Sequence, residues 1–229
     1  GEPVGVSLMR PSLLRVLAVA GRDERVMAYA ESLGRAYRRD PASVPASLAE
    51  TGVLLGALRG DRATFDDYRR RFETTTVPNE RPMYLAGMGA FRDPALRQAA
   101  LDYALNGPLR PQETLMIPAA MGSSLAGFEG RGGGGEYPDE VVTWVLGHFD
   151  ELAARMPPNF SARILGLTGG CSEERLSTLR AYFEDPSHRM LGGEASLRRL
   201  AEAIQECASL HARESDRVER WLLQGAVRP

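Results

Sequence analysis

The feature that most restricts how this chain can fold is a helix pair that recurs three times around an aspartate. In each copy a short apolar segment ends in a turn, and an amphipathic segment begins after Asp23, Asp61 or Asp93. These aspartates are separated by 38 and then 32 residues, which is the period of solenoids in which each helix pair stacks on the next. The repeat therefore predicts an all-α, HEAT-like superhelix of antiparallel helix pairs.

The spacing of apolar residues is helical along nearly the whole sequence. Apolar side chains recur every three or four residues, and clear sets are Leu13, Leu14, Leu17 and Ala20; Val26, Tyr29, Leu33 and Tyr37; Phe65, Tyr68 and Phe72; Leu176, Leu179 and Phe183; and Leu197, Leu200 and Ile204. Side chains at this spacing share one face of an α-helix. Alternating apolar and polar residues form no convincing run, so strands are not expected.

The predicted helix starts carry capping chemistry. Asp23, Asp61, Asp93 and Ser172 each precede an amphipathic run. A side-chain oxygen at such a position accepts hydrogen bonds from the free amides of the first turn. Pro94, directly after Asp93, has the fixed backbone angle that suits a first helical position. We therefore expect helices to begin at these four capping residues.

The composition is that of an ordinary globular protein, and we expect one helical-repeat domain over residues 1–229. Hydrophobic residues make up 43% and charged residues 25% of the chain, which is enough to bury a core. Five glycines lie between Gly130 and Gly135. They lack the Gly-Lys-Ser/Thr ending of a phosphate-binding loop and the strand that precedes one. We therefore interpret residues 124–137 as a flexible, glycine-rich surface loop.

Charge and hydropathy argue against two classes of partner. The net charge is -2, and the basic residues, all of them arginines, are spread along the chain. Nucleic-acid binders usually carry a basic stripe or tail, so no nucleic-acid partner is expected. The longest apolar runs are too short to cross a bilayer. The first residues also lack the basic and apolar regions of a signal peptide, so we expect no membrane partner and favour a cytoplasmic location.

The sequence carries no pattern that would support catalysis or metal binding. The histidines, His148, His188 and His211, are far apart, and neither His-Glu-x-x-His nor Gly-x-Ser-x-Gly occurs. A zinc site needs three or four converging ligands, usually with some short spacing. We therefore expect no metal, no cofactor and no catalytic residue in this chain.

Two cysteines, Cys171 and Cys207, lie among apolar helical residues. We expect buried free thiols, which pack as small apolar side chains, because one possible bridge is not a disulfide framework. The alternative is a reactive Cys171, since it precedes the helix start at Ser172 and a helix N-terminus lowers the pKa of a thiol.

The charge clusters are interpreted as solvated. The pairs Asp66-Asp67 and Glu173-Glu174 point in different directions on a helix and fit exposed first-turn positions. The run Arg69-Arg70-Arg71 spreads around most of a helix. A solvated face is the main interpretation of this run, and binding of an anion or carboxylate is the alternative.

Several segments, in order along the chain, resemble one known family. Leu109-Arg110-Pro111-Gln112-Glu113 matches an Arg-x-Gln motif that is followed by an acidic residue at a helix start. The flanking matches are a helix pair over residues 91–105, a helix with Trp144, Phe149 and Leu152, a helix with Ser172, Leu176, Tyr182 and Phe183, and a final Trp221-Leu222. Together they resemble the helical C-terminal domain of aminopeptidase-N-class zinc aminopeptidases, of the type found in the endoplasmic reticulum.

This resemblance implies a bowl-shaped stack of helices that caps a separate catalytic domain, absent from this chain, which holds the zinc. It implies that the parent enzyme removes N-terminal amino acids from peptides, and that the partners of this chain are the peptide and that catalytic domain. Arg110 is the candidate substrate-binding residue because a guanidinium suits a peptide carboxylate. The alternative for Arg110 is a structural tie through Glu113 or a helix C-terminus. The competing function is a stand-alone helical-repeat scaffold that binds another protein.

Overall fold

The computed structural model describes residues 4–122 and 136–225, and every regular element in those ranges is a helix. Neither range contains a strand, so the all-α prediction is confirmed. The chain divides into two compact units, residues 1–129 and residues 130–229, which are called unit 1 and unit 2. The single domain expected over residues 1–229 stays a prediction.

Unit 1 is a succession of helices that pack against near neighbours in sequence. Its elements are α1 (Val4–Arg15), a π-helix (Val16–Ala20), α2 (Glu24–Arg39), a 3-10 helix (Pro41–Ser43), α3 (Ala46–Ala57), α4 (Arg62–Thr74), α5 (Glu80–Gly89), α6 (Pro94–Asn106) and α7 (Met116–Gly122). Helix α2 packs against α3, α4 against α5, and α5 against α7. Contact between near neighbours is the packing pattern of a helical solenoid, as the repeat predicted.

The predicted helix starts are confirmed by their caps. The side chains of Asp23 and Asp61 accept hydrogen bonds from amides in the first turns of α2 and α4. Asp93 caps α6 in the same way, and Pro94 occupies the first helical turn. Ser172 caps a helix of unit 2. Each cap satisfies amides that have no partner within the helix itself.

The first apolar segment departs from the regular helix that its spacing predicted. Val16–Ala20 forms a π-helix, in which hydrogen bonds span five residues instead of four. Leu14 and Ala18 are buried along this stretch, whereas Leu13 and Leu17 are 51% and 45% exposed. The single apolar face predicted from the spacing is therefore split between the core and the surface.

The core of unit 1 contains an aromatic cluster centred on α4. The predicted set Phe65, Tyr68 and Phe72 lies on one face of α4 and is buried. Phe65 and Tyr68 both contact the ring of Phe91, at centroid distances of 5.4 and 5.9 Å. The Tyr68 hydroxyl donates to the Val53 carbonyl oxygen at 2.9 Å. The cluster thus buries its rings in edge-on contacts that add to the burial free energy, and it leaves the tyrosine hydroxyl hydrogen-bonded.

Helices α2 and α3 meet at a pair of glycines. A β-carbon on Gly34 would collide with the carbonyl oxygen of Gly52, and a β-carbon on Gly52 would lie 2.8 Å from the Gly34 nitrogen. Glycine has no β-carbon, so these positions allow the two backbones to approach closely.

We expect Gly34→Ala to lower the free energy of unfolding by about 2 kcal/mol, because overpacking a tight contact costs about 1–3 kcal/mol. Gly56→Ala in α3 is the matched control, since a β-carbon there would meet only the Tyr68 hydroxyl, at 3.5 Å. That substitution should be neutral or stabilise the helix by up to about 1 kcal/mol. Urea denaturation followed by circular dichroism measures both. Equal losses in the two variants would contradict the close contact.

Unit 2 is built around its longest helix. Its elements are α8 (Asp139–Gly147), α9 (Phe149–Ala154), a 3-10 helix (Ser161–Leu167), α10 (Glu173–Phe183), a 3-10 helix (Pro186–His188) and α11 (Gly193–Gly225). Helix α11 packs against α10 and the first 3-10 helix. The sequence predicted one helix that contains Trp144 and Phe149, but the structure has two, because α8 ends at Gly147 and α9 begins at Phe149.

The predicted loop over 124–137 lies outside the described residues except for its last two positions.

The second half of α11 extends beyond the packed part of unit 2. The first half buries Leu197, Leu200 and Ile204. Beyond Cys207 the large apolar side chains are exposed, namely Leu210, Val218, Trp221, Leu222 and Leu223. Neither α11 nor any other described helix is long and apolar enough to cross a membrane.

Candidate functional site

The Arg-x-Gln-Glu motif forms a turn that leads into α7, and Glu113 rather than Arg110 is its structural centre. The Arg110 amide donates to Glu113 Oε2 at 2.9 Å, and the Glu113 amide donates to the Arg110 carbonyl oxygen at 2.8 Å. A glutamate that reaches back to an amide three residues earlier is the acidic half of a capping box. The resemblance placed a helix start at the acidic residue of the motif, whereas α7 begins after the turn, at Met116.

The Glu113 carboxylate also binds Arg81, in the first turn of α5. Arg81 Nε donates to Oε1 at 2.7 Å and Nη2 donates to Oε2 at 2.8 Å, so the ion pair is bidentate. The Arg81 guanidinium lies over the Phe72 ring, 4.2 Å from its centre, and Nη1 donates to the Phe72 carbonyl oxygen at 3.3 Å. One carboxylate thus joins α4, α5 and the turn before α7. We call Glu113, Arg81, Phe72 and the Arg110 amide the Glu113 clamp.

The clamp is shielded from solvent and keeps its charges. The side chains of Arg81 and Glu113 are 16% and 8% exposed. Burial by itself would raise the pKa of the Glu113 carboxyl, but hydrogen bonds from Arg81 and from the Arg110 amide outweigh it and hold the pKa below the ordinary value of 4.5. The hydrogen bonds to Glu113 in turn raise the pKa of Arg81. The pair is therefore ionised at neutral pH.

The Arg110 side chain itself is exposed and forms no ion pair or hydrogen bond within the described part of the chain. Its charge still helps to lower the pKa of the Glu113 carboxyl. The contact between Arg110 and Glu113 considered as the structural alternative is present, and it is made by the Arg110 backbone amide. A role for Arg110 in binding substrate stays a prediction.

Sequence reasoning missed Arg81 and Phe72 as partners of the motif. Arg81 precedes Glu113 by 32 residues, and no short pattern connects them. One physical signal was available: a cation in the first turn of a helix is disfavoured by the helix dipole. We would therefore expect Arg81, in the first turn of α5, to pair with a carboxylate from another part of the fold.

The run Arg69-Arg70-Arg71 is paired with carboxylates of its own helix. Arg71 Nε donates to Asp67 Oδ2 at 2.9 Å, and Arg70 also pairs with Asp67. Arg38 of α2 lies 3.6 Å from the same carboxylate, whose side chain is 16% exposed. The prediction of a solvated Asp67 is therefore wrong, because α2 lies over it. Arg70 and Arg71 are paired with Asp67, so their guanidiniums are not free to bind an anion, which was the alternative interpretation of this run.

The two cysteines form a disulfide, so the prediction of free thiols is wrong. Cys171 precedes α10 and Cys207 lies in the middle of α11, with their Cα atoms 5.1 Å apart, within the range that a disulfide bridges. They meet because α10 packs along α11, which the apolar neighbours of each cysteine could not reveal. A bonded Cys171 is also not the reactive thiol considered as the alternative.

The histidines do not converge. His148 lies between α8 and α9, with Nδ1 3.3 Å from Glu151 Oε1. His188 belongs to a 3-10 helix, and its ring stacks on that of Tyr182 with 3.8 Å between the ring centroids. His211 is exposed on α11. Within residues 4–122 and 136–225 no group of three or more His, Cys, Asp or Glu side chains is arranged to hold a metal ion.

Comparison with known proteins agrees with the resemblance drawn from the motifs. The family model described as the ERAP1-like C-terminal domain matches residues 1–207, which include the Glu113 clamp and both cysteines and stop before the second half of α11. The chain is 25% identical over 148 residues to aminopeptidase 2, mitochondrial, of Saccharomyces cerevisiae. That match covers 63% of this chain and 14% of the relative, so the chain spans a small part of that protein. Because the family model matches most of its residues, the chain belongs to the family of ERAP1-like C-terminal domains.

Proposed function

We propose that this chain is the non-catalytic C-terminal domain of a longer zinc aminopeptidase that removes N-terminal amino acids from peptides. The observation that carries the proposal is the match of residues 1–207 to the ERAP1-like C-terminal domain. The similarity to aminopeptidase 2 supports the same class of enzyme, and the share of that relative covered, 14%, leaves length for a separate catalytic domain.

In this proposal the domain helps to enclose the active site and to accommodate the peptide. The zinc and the catalytic residues belong to the parent's catalytic domain, which is the second partner of this chain besides the peptide. The disulfide argues against the cytoplasmic location favoured from the sequence. Structural disulfides persist mainly in oxidising compartments, so such a compartment fits the chain better.

The test of this function uses the natural full-length gene product. We expect it to release the amine from an aminoacyl anilide, and to lose that activity when the zinc is removed by a chelator. The competing function, a stand-alone scaffold, predicts a natural product that has no catalytic segment and no activity before or after chelation.

Arg110 is the residue of this chain proposed to contact the peptide. Its guanidinium is exposed, and its backbone amide is fixed by Glu113. In the intact enzyme we expect Arg110→Ala to raise KM for longer peptides about tenfold, since a hydrogen bond to a charged group contributes about 1.5–3 kcal/mol. A single-residue anilide cannot reach this domain, so its hydrolysis should be unchanged.

The matched control is Arg92→Ala, which removes another exposed arginine of unit 1 and should leave KM for both substrates as it is. Equal loss with the long peptide and the anilide would assign Arg110 a structural role. Unchanged KM for both would remove Arg110 from the substrate site and leave the assignment of the domain intact.

A further inference from the structure

The second half of α11, residues 208–224, carries an apolar stripe that no described part of unit 2 covers. Leu210, Val218 and Trp221 are exposed, Trp221 to 70%. At about 100° per residue, their spacing places them within about 80° of one another around the helix. Leu200, which is buried in unit 2, lies on the same side, five turns before Val218. The stripe therefore continues a packing face of α11 beyond the packed part of unit 2, and we call residues 208–224 the exposed half of α11.

Two features make the exposed half of α11 suited to docking against another helix. Cys207, directly before it, is bonded to Cys171, so the helix leaves unit 2 from a fixed point. The exposed half also contains as many arginines as acidic residues, namely Arg213, Arg217 and Arg220 against Glu214, Asp216 and Glu219. Its charges therefore balance at neutral pH, and two copies of it would not repel each other through net charge.

The sequence of the exposed half is self-complementary when two copies run antiparallel. With a two-fold axis between residues 215 and 216, Leu210 of one copy lies opposite Trp221 of the other. In the same register Glu214 lies opposite Arg217. These four positions are spaced by four, three and four residues, which is the spacing of the core positions of a coiled coil. The register thus joins apolar with apolar and acid with base at four consecutive core positions.

We propose that the exposed half of α11 binds a second copy of this chain through an antiparallel, two-fold symmetric helix pair. Polar residues at core positions fix the orientation of such pairs. A parallel pair would place Glu214 against Glu214 and Arg217 against Arg217, and like charges opposite each other disfavour it. The match to the family of ERAP1-like C-terminal domains ends at residue 207, so the proposal does not depend on the function proposed above.

The first test is sedimentation equilibrium of the 229-residue chain. We expect a reversible equilibrium between monomer and dimer over about 1–200 µM, because even interfaces larger than this one can have affinities as weak as micromolar. Leu210→Glu should weaken the dimer at least about tenfold, since it places a charge in the apolar stripe opposite Trp221.

The matched control is Leu223→Glu. Leu223 is also an exposed leucine of α11, but it lies at least about 140° around the helix from Leu210, Val218 and Trp221. This variant should dimerise as the wild type does. A wild-type chain that stays monomeric at the highest concentration, or an equal loss in the control, would overturn the proposal.

A charge exchange between copies tests the register. Glu214→Arg and Arg217→Glu should each weaken self-association at least about tenfold, because each variant places like charges opposite one another. Mixed in equal amounts, the two variants should associate about as tightly as the wild type, since both opposing pairs then join an arginine with a glutamate. Arg217 also pairs with Glu214 within its own helix, at 2.9 Å, and damage from losing only that contact would persist in the mixture. A mixture that does not associate would therefore overturn the proposed register.

Discussion

Replacing Glu113 with glutamine is expected to lower the free energy of unfolding by about 3–5 kcal/mol, the usual cost of removing one partner from a buried ion pair. Glutamine keeps the size of the side chain but removes the charge that faces Arg81, whose side chain is only 16% exposed. Urea denaturation followed by circular dichroism measures the loss as a shift of the unfolding midpoint.

The control for this prediction is Glu73→Gln. The Glu73 carboxylate accepts a hydrogen bond from the Tyr103 hydroxyl at 2.8 Å, but it lies at the surface. Surface substitutions usually change stability by no more than about 0.5 kcal/mol. If Glu113→Gln were no more destabilising than this control, the Glu113 clamp would not be a main source of stability.

The effect of Glu113→Gln is also expected to depend on pH. The pKa of Glu113 in the folded chain lies below its ordinary value of 4.5, so its contribution is complete above the unfolded-state pKa and is lost as pH falls through the folded-state pKa. The difference in unfolding free energy between the wild type and the variant should therefore shrink below about pH 4.5. A difference that stayed constant into that acid range would mean that the charge of Glu113 is not what stabilises the clamp.

Reduction of the Cys171–Cys207 disulfide is expected to destabilise unit 2 by up to about 4 kcal/mol. The bond joins residues 36 apart in sequence, and the chain-entropy estimate for closing a loop of that length is about 4 kcal/mol. Hydrogen bonds from Arg175 also hold the segment that contains Cys171. Arg175 Nη1 donates to the carbonyl oxygens of Tyr137 and Gly169 at 2.6 and 2.8 Å. We therefore expect a less stable unit 2, not an unfolded one.

Both tryptophans belong to unit 2, so their fluorescence reports its unfolding in urea with and without a dithiol. The double variant Cys171→Ser/Cys207→Ser is the control and should unfold at the midpoint of the reduced wild type whether or not the dithiol is present. A wild-type midpoint that does not respond to reduction, or thiols that alkylate fully without a reductant, would contradict the disulfide.

The helix starts could be predicted from the sequence because capping is a local interaction. Asp23, Asp61 and Asp93 each reach an amide two or three residues ahead, so a short window contains both partners. The buried face of α4 could be predicted for the same reason, because Phe65 and Phe72 keep a helical spacing within one helix.

The features that sequence reasoning missed join residues that are far apart in the chain. The partners of Glu113 and Asp67 include Arg81 and Arg38, 32 and 29 residues away, and the disulfide spans 36 residues. Whether a charge is solvated or paired depends on which helix lies over it, and helical spacing does not contain that information. The Arg-x-Gln-Glu motif could therefore be found from the sequence, but the pairing of its glutamate with Arg81 could not.

The π-helix at Val16–Ala20 determines where this fold tolerates a change of length. A π turn holds more residues than the α turn it replaces, so it absorbs an insertion without rotating the helices on either side. Loss of one residue there would restore an α turn and leave Leu14 and Met27 in the core. The same loss inside α3, which is buried on nearly every side, would rotate the following side chains by about 100°. A single-residue deletion is therefore expected to be tolerated better at the π-helix than in α3.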